Sequence, residues 1–208
     1  MKSYIIAEIA SNWEGSFVKA KKLIQESKDA GADAVKFQSF TTEQILSKKG
    51  FEKKTTFQSK WKKSIWNVYK NAEFPLSWHE KLNEYAKKIG VDFLSTPYNY
   101  DAVKLLKKMN VPAMKVGSGD ITDTEFLKII GKTRKPIFLA TGASTMKEVR
   151  KAVNTIKSSG NNKIILMDIG HYESEQYTKK LIFDHLTKKI PSFACVLSRV
   201  KTNPINYY

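Results

Sequence analysis

The feature that most constrains this chain is a regular alternation of short apolar runs with lysine-rich amphipathic stretches, each apolar run closing on polar residues. Tyr4-Ile5-Ile6-Ala7-Glu8-Ile9, Ala34-Val35-Lys36-Phe37-Gln38, Phe93-Leu94-Ser95-Thr96-Pro97 and Met114-Lys115-Val116-Gly117-Ser118-Gly119-Asp120 are the clearest cases. Short apolar runs bounded by turn residues read as buried strands, and the stretches between them have the period of helices. Strands alternating with helices imply a parallel sheet, whose chemistry gathers at the carboxyl ends of the strands.

Read in this way, a strand at about residues 3–9 is followed by the loop Ala10-Ser11-Asn12-Trp13-Glu14-Gly15 and a helix over about residues 16–30, which Gly31 stops. The strand 34–38 completes a βαβ unit. Residues 39–76 show little clean periodicity until 61–69. A connection that long inside a compact domain is usually functional or holds its own short helix, and here it is read as an active-site excursion. Helices are then expected over about 77–89, 100–109, 124–131 and 145–158, with strands at 91–95, 113–116, 136–140 and 163–167. A helix to about 189 and a strand at 192–197 follow.

The 208 residues fit one domain but fall short of a comfortable eight-strand barrel of roughly 250 residues. The fold class expected is therefore α/β, an incomplete TIM-type (β/α) barrel of about seven parallel strands, either curved or opened into a doubly wound sheet. A barrel lacking one strand leaves two unpaired edges, which invite pairing into a homodimer. The formal net charge of +16 is mostly lysine on helix faces. It is read first as a solvated surface, and secondly as a field attracting an anionic metabolite or nucleic acid. The stretch 48–70, which interleaves lysines with Phe51, Phe57, Trp61, Trp66 and Tyr69, could resemble a nucleic-acid surface, but it coincides with the excursion, which is the preferred reading. The single cysteine, Cys195, excludes an internal disulfide and sits in a predicted buried strand, where an inert thiol is expected. His79 and His185 fall on predicted helices and are read as surface residues. No leader-like start and no apolar run of roughly 20 residues is seen, so no membrane association and a cytoplasmic location are expected.

Lys36 and Lys115 carry the chemical argument, because a lysine inside an apolar run is costly to bury without an anionic partner. With Gln38, Thr96, Ser118 and Ser144 at other strand ends, they form a set suited to a phosphate or carboxylate: the ammonium groups supply charge and the hydroxyls fix orientation. Glu8 or Asp120 could then act as a general acid or base beside that anion. The competing structural reading has each lysine running along the sheet and reaching water at the rim.

Five blocks, Ile6-Ala7-Glu8-Ile9-Ala10-Ser11-Asn12, Gly31-Ala32-Asp33-Ala34-Val35-Lys36-Phe37-Gln38, Phe93-Leu94-Ser95-Thr96-Pro97, Met114-Lys115-Val116-Gly117-Ser118-Gly119-Asp120 and Ala140-Thr141-Gly142-Ala143-Ser144, closely resemble the sialic acid synthase family, in order and at natural spacing. The resemblance covers about residues 4–166. It implies a (β/α)8 barrel that condenses phosphoenolpyruvate with an N-acetyl-hexosamine, such as N-acetylmannosamine, into a nonulosonic acid, using a divalent metal such as manganese or magnesium. By the same resemblance, Lys36, Gln38, Thr96, Lys115, Ser118 and Ser144 match positions that hold phosphoenolpyruvate. Glu8 matches the acidic residue near the sugar, and Asp120 sits where the family has an acid. The metal would polarise the sugar aldehyde, the enol carbon would attack it, and water would complete the loss of phosphate.

The chain also departs from that family. The loop after the first strand usually reads Asn-His-Asn-Gly there, whereas Asn12-Trp13-Glu14-Gly15 has no imidazole, and the strand near Leu166-Met167-Asp168 lacks a His-Cys pair and the asparagine that follows. The family's two metal-binding histidines lie in its last barrel strands, to which nothing here corresponds, and their loss would impair turnover. Residues 168–208 instead resemble the carboxyl-terminal end of the NIF3-like dinuclear-metal family. In its Gly-His-x-x-x-Glu element, His171 and Glu175 would be metal ligands, four residues apart on a starting helix. The chain therefore divides into a synthase-like portion, 1–167, and a NIF3-like helix-strand segment, 168–208, packed on the same sheet, as a fusion, truncation or chimera would produce. Two alternatives to a synthase stay open: a catalytically inactive anion-binding module, and a NIF3-like metal-binding protein.

Overall fold

A computed structural model describes residues 4–51 and 63–167. They fall into two compact units, Ile5–Val111 and the stretch from Pro112 onward, each a three-stranded parallel sheet with its helices.

In the first unit the order is β1 (Ile6–Ala10), α1 (Phe17–Asp29), β2 (Ala34–Ser39), the short helices α2 (Thr42–Ile45), α3 (Lys48–Phe51) and α4 (Ile65–Asn71), then α5 (Leu76–Ile89), β3 (Asp92–Pro97) and α6 (Tyr100–Lys108). The sheet order is β1-β2-β3. Glu8 pairs in register with Lys36, Lys36 with Leu94, and Gln38 with Thr96. Because side chains alternate along a strand, these five residues share one face, while Val35, Phe37, Ser39, Phe93 and Ser95 share the other.

The helices begin and end where local chemistry directs. The Ser16 hydroxyl accepts the Lys19 N–H and opens α1. Gly90 takes φ 74°, a left-handed value that glycine adopts without a Cβ penalty, and closes α5. Tyr85 donates to Gln25 at 2.7 Å and the Lys28 ammonium caps the Gly90 carbonyl at 2.6 Å, so α1 and α5 are tied side by side. Ala20, Ile24, Leu82 and Ala86 are fully buried.

The second unit runs β4 (Met114–Val116), a 3-10 turn (Ser118–Asp120), α7 (Thr124–Gly131), β5 (Ile137–Ala140), α8 (Met146–Ser158) and β6 (Ile164–Met167), in sheet order β4-β5-β6. Asp123 caps α7, and Thr145 with Glu148 forms a reciprocal capping box at α8. Helices α7 and α8 meet at Gly131, where an added Cβ would stand 1.9 Å from the Ser159 hydroxyl.

The structure revises several expectations. The first strand starts at Ile6 rather than residue 3. The excursion after β2 holds three short helices among the described residues, in keeping with the expectation that so long a connection holds helix of its own. Ser118–Asp120 forms a 3-10 turn that no periodicity announces. His79 is not a surface residue: its exposure is 0%, because α5 turns it toward the sheet together with Leu82, Asn83 and Ala86. The six strands of 4–167 are present as two sheets of three. The strand expected at 192–197, the segment 168–208 with His171 and Glu175, and His185 and Cys195 lie outside the described residues.

Candidate functional site

On the first sheet the structure brings Glu8, Lys36 and Thr96 into contact. Lys36 is only 4% exposed, so it does not run out to water at the rim. Its ammonium makes a close ion pair with the Glu8 carboxylate and donates to the Thr96 hydroxyl at 3.3 Å. The pair follows from register: parallel pairing sets Glu8 directly beside Lys36 on one face. Glu8 also accepts the Ala10 N–H at 3.1 Å, at the point where the β1 register shifts and Ala10 turns to φ 48°. Gln38, half-buried, stands next to Thr96 on the same face, toward the strand ends. The ammonium, the carboxylate and the hydroxyl are thus fixed relative to one another by strand register.

In the second unit Lys115 lies on β4 opposite Phe138, and the Ser118–Asp120 turn follows directly. Burial pushes the Asp120 carboxyl above its ordinary value and the nearby Asp123 charge adds to this, while Lys115 and the Gly117 backbone pull the other way. One Asp120 oxygen, Oδ2, is buried without a hydrogen-bond partner. An acid in this state holds its proton to higher pH than an ordinary aspartate. Ser144 donates to the Gly142 carbonyl at 3.2 Å, in the loop where Ala143 adopts φ 54°. Thr141 joins that loop to β6 through two bonds to the Met167 carbonyl, at 3.0 Å from its N–H and 3.1 Å from its hydroxyl.

Trp13, which stands in the loop where an imidazole was expected by resemblance, is 2% exposed. It packs against Phe74 and edge-on to Trp78, at centroid distances of 5.8 and 5.3 Å, so it acts as an anchor for its loop. Ser11 secures the same loop by donating to the Ala72 carbonyl at 3.2 Å.

Sequence reasoning missed a polar cluster on the opposite face of the first sheet. The Ser39 hydroxyl lies 2.6 Å from His79 Nε2 and 2.6 Å from the Ser95 hydroxyl, and His79 Nδ1 lies 3.1 Å from the Pro75 carbonyl. A carbonyl only accepts, so Nδ1 carries the proton and Nε2 accepts from Ser39, which in turn accepts from Ser95. Burial against Phe74 and Phe93 lowers the His79 pKa to about 4 and keeps the ring neutral. A signal was present: His79, Leu82, Asn83 and Ala86 recur at helical spacing, which assigns the histidine to the apolar stripe.

Among the described residues, no three His, Cys, Asp or Glu side chains gather where they could hold a metal ion. The Glu8 carboxylate is already engaged by Lys36. These residues do not fit a metal centre by themselves. Among them, no helix is long and apolar enough to cross a membrane.

The NeuB family model matches residues 23–178, a stretch that passes the seam expected near residue 168 and takes in His171 and Glu175. The chain is 39% identical over 165 residues to an uncharacterized protein of Methanocaldococcus jannaschii, covering 79% of this chain and 45% of that protein. It is 38% identical over 163 residues to the N,N'-diacetyllegionaminic acid synthase of Campylobacter jejuni, covering 76% and 48%. The fold superposes on the crystal structure of an N-acetylneuraminic acid synthetase from Leptospira borgpetersenii with a TM-score of 0.76 and 25% identity, over 90% of this chain and 62% of that one. The chain thus spans about half the length of the curated relatives it matches.

Proposed function

This chain belongs to the NeuB family, and we propose that it carries the phosphoenolpyruvate-holding part of a synthase that joins phosphoenolpyruvate to an N-acetyl-hexosamine to make a nonulosonic acid. The observation that carries the reading is the Glu8-Lys36-Thr96 constellation, preset on one sheet face beside Gln38 in a chain matched to this family. In the proposal each three-stranded parallel sheet is a segment of a TIM-type barrel wall. Within the first unit Lys36, Gln38 and Thr96 are the set suited to hold an anionic group of phosphoenolpyruvate, and within the second unit Lys115, Ser118 and Ser144 are a set of the same chemical kind.

The reaction joins the methylene carbon of phosphoenolpyruvate to the sugar aldehyde carbon, and the aldehyde oxygen takes up a proton. Water adds at the former enol carbon, and the bond from that carbon to the phosphate-bearing oxygen breaks to release inorganic phosphate and leave a keto acid. Glu8, beside Lys36, is the candidate to orient the sugar, and within the second unit Asp120 is the candidate proton donor. For the divalent metal that the resemblance implies, manganese or magnesium, the described residues gather no set of three His, Cys, Asp or Glu ligands.

Calorimetric titration with phosphoenolpyruvate tests the reading. The parent binds, and Lys36→Met and Lys115→Met each weaken binding by about tenfold or more, the loss of a charge-assisted contact. Parent-like affinity in both variants overturns it. A second reading is a chain that holds phosphoenolpyruvate without turning it over. Phosphate release that requires N-acetylmannosamine and manganese supports the synthase. Binding without release supports the anion-holding module.

A further inference from the structure

The buried Ser39-His79-Ser95 chain lies directly behind the proposed anion site. Ser39 follows Gln38 on β2, and Ser95 precedes Thr96 on β3, so each serine shares its backbone with a residue of the opposite face. Serine and imidazole at 2.6 Å have the spacing of a nucleophile and its base, but Ser39, His79 and Ser95 are all 0% exposed, and no substrate reaches them. Their geometry serves a different purpose. Ser95 pairs in register with Phe37, and Ser39 with Pro97, so the hydroxyl contact between the serines is diagonal across two strands. A diagonal bond resists sliding of one strand along the other, and the imidazole, which α5 itself carries and the Pro75 carbonyl orients, anchors it to that helix. The clamp sits where the ladder ends: the Tyr98 N–H closes on the Ser39 carbonyl at 3.1 Å, and the chain then leaves for the α2 excursion on one side and α6 on the other. Strand ends open most readily, and a fully satisfied buried polar network is what stiffens them.

We infer that His79 is a positioning residue, which locks the ends of β2 and β3 from behind the sheet and thereby holds Gln38 and Thr96 at fixed spacing beside Lys36. This rests on the reading of those three residues as an anion site, so the test carries one readout that needs no ligand. His79→Phe keeps the ring and removes both nitrogens, whereas the amide of His79→Gln can replace Nε2 at Ser39. Hydrogen exchange at the Tyr98 amide reports the clamp, with the amides of α1 as an internal control, and the dissociation constant for phosphoenolpyruvate reports the site.

In His79→Phe, exchange at Tyr98 accelerates about tenfold or more while α1 is unchanged, and phosphoenolpyruvate binds about tenfold more weakly; His79→Gln returns both toward the parent. Should His79→Phe not fold, Ser39→Ala cuts the same link, leaves the imidazole in place, and gives the same pair of changes. Unaltered exchange at Tyr98 in a folded variant overturns the clamp. Faster exchange with unaltered affinity overturns its role in the anion site. A parent that does not bind phosphoenolpyruvate refutes the functional reading, and the clamp is then judged by Tyr98 exchange alone.

Discussion

Lys36 shows how a single residue's solvation demand dictates its surroundings. An ammonium at 4% exposure must find an anion, and Glu8 meets that demand from the adjacent strand. Glu8→Gln keeps the shape and removes the countercharge, leaving the lysine buried alone. The expected cost is about 2 kcal/mol, below the figure for a fully dry pair because Glu8 is partly solvated. Urea unfolding checks this, and unchanged stability would mean that Lys36 has another counterion. His79 makes the opposite demand, for neutrality. Its pKa of about 4 lies below the ordinary 6.5, so its contribution to stability is complete above pH 6.5 and is lost as pH falls from there through about 4. The loss amounts to at most about 3 kcal/mol. Urea midpoints compared at pH 7.5 and pH 4.5 should show it, and His79→Gln should have a shallower pH dependence than the parent. The requirement of Lys36 for an anion was legible in the sequence. That its partner is Glu8 was not, because parallel register alone sets those residues side by side.

At the scale of the element, punctuation was well marked. Ser16, Gly90 and the Thr145–Glu148 capping box stop and start helices through bonds made within a turn or two, and the expected bounds of α1, α5 and α8 follow them closely. Elements without such marks were missed. The 3-10 turn at Ser118–Asp120 is too short to show a period, and the histidine of α5 reads as a surface residue by its type although its spacing from Leu82 and Ala86 belongs to the buried stripe. Packing between elements left a subtler trace. Gly131 is helical and needs no unusual backbone, and its role emerges only where α7 meets the end of α8. Gly131→Ala should cost about 1 to 3 kcal/mol in thermal or urea unfolding despite alanine's higher helix propensity. Ser159→Ala should recover part of that loss by removing the hydroxyl at 1.9 Å. A stabilised Gly131→Ala would mean that the contact relaxes without strain.

The whole molecule adds a field that no single residue creates. With a formal net charge of +16, the chain should draw small anions by long-range attraction, and salt screens that attraction. The association rate of phosphoenolpyruvate should therefore fall several-fold between about 0.05 and 0.5 M sodium chloride, measured by stopped flow. A rate indifferent to salt would assign binding to local contacts alone. By itself the amino-acid sequence determined the alternation of strand and helix, the caps, the family, and which side chains are chemically able to grip an anion, because each depends on residue type and short-range spacing. Only the tertiary structure decided that Glu8 neutralises Lys36, that Trp13 is buried against Phe74 and Trp78, and that His79 is joined to Ser39 and Ser95 behind the sheet. Those contacts join residues tens of positions apart, and their partners are selected by strand register and helix rotation, which follow from burying the whole apolar surface at once.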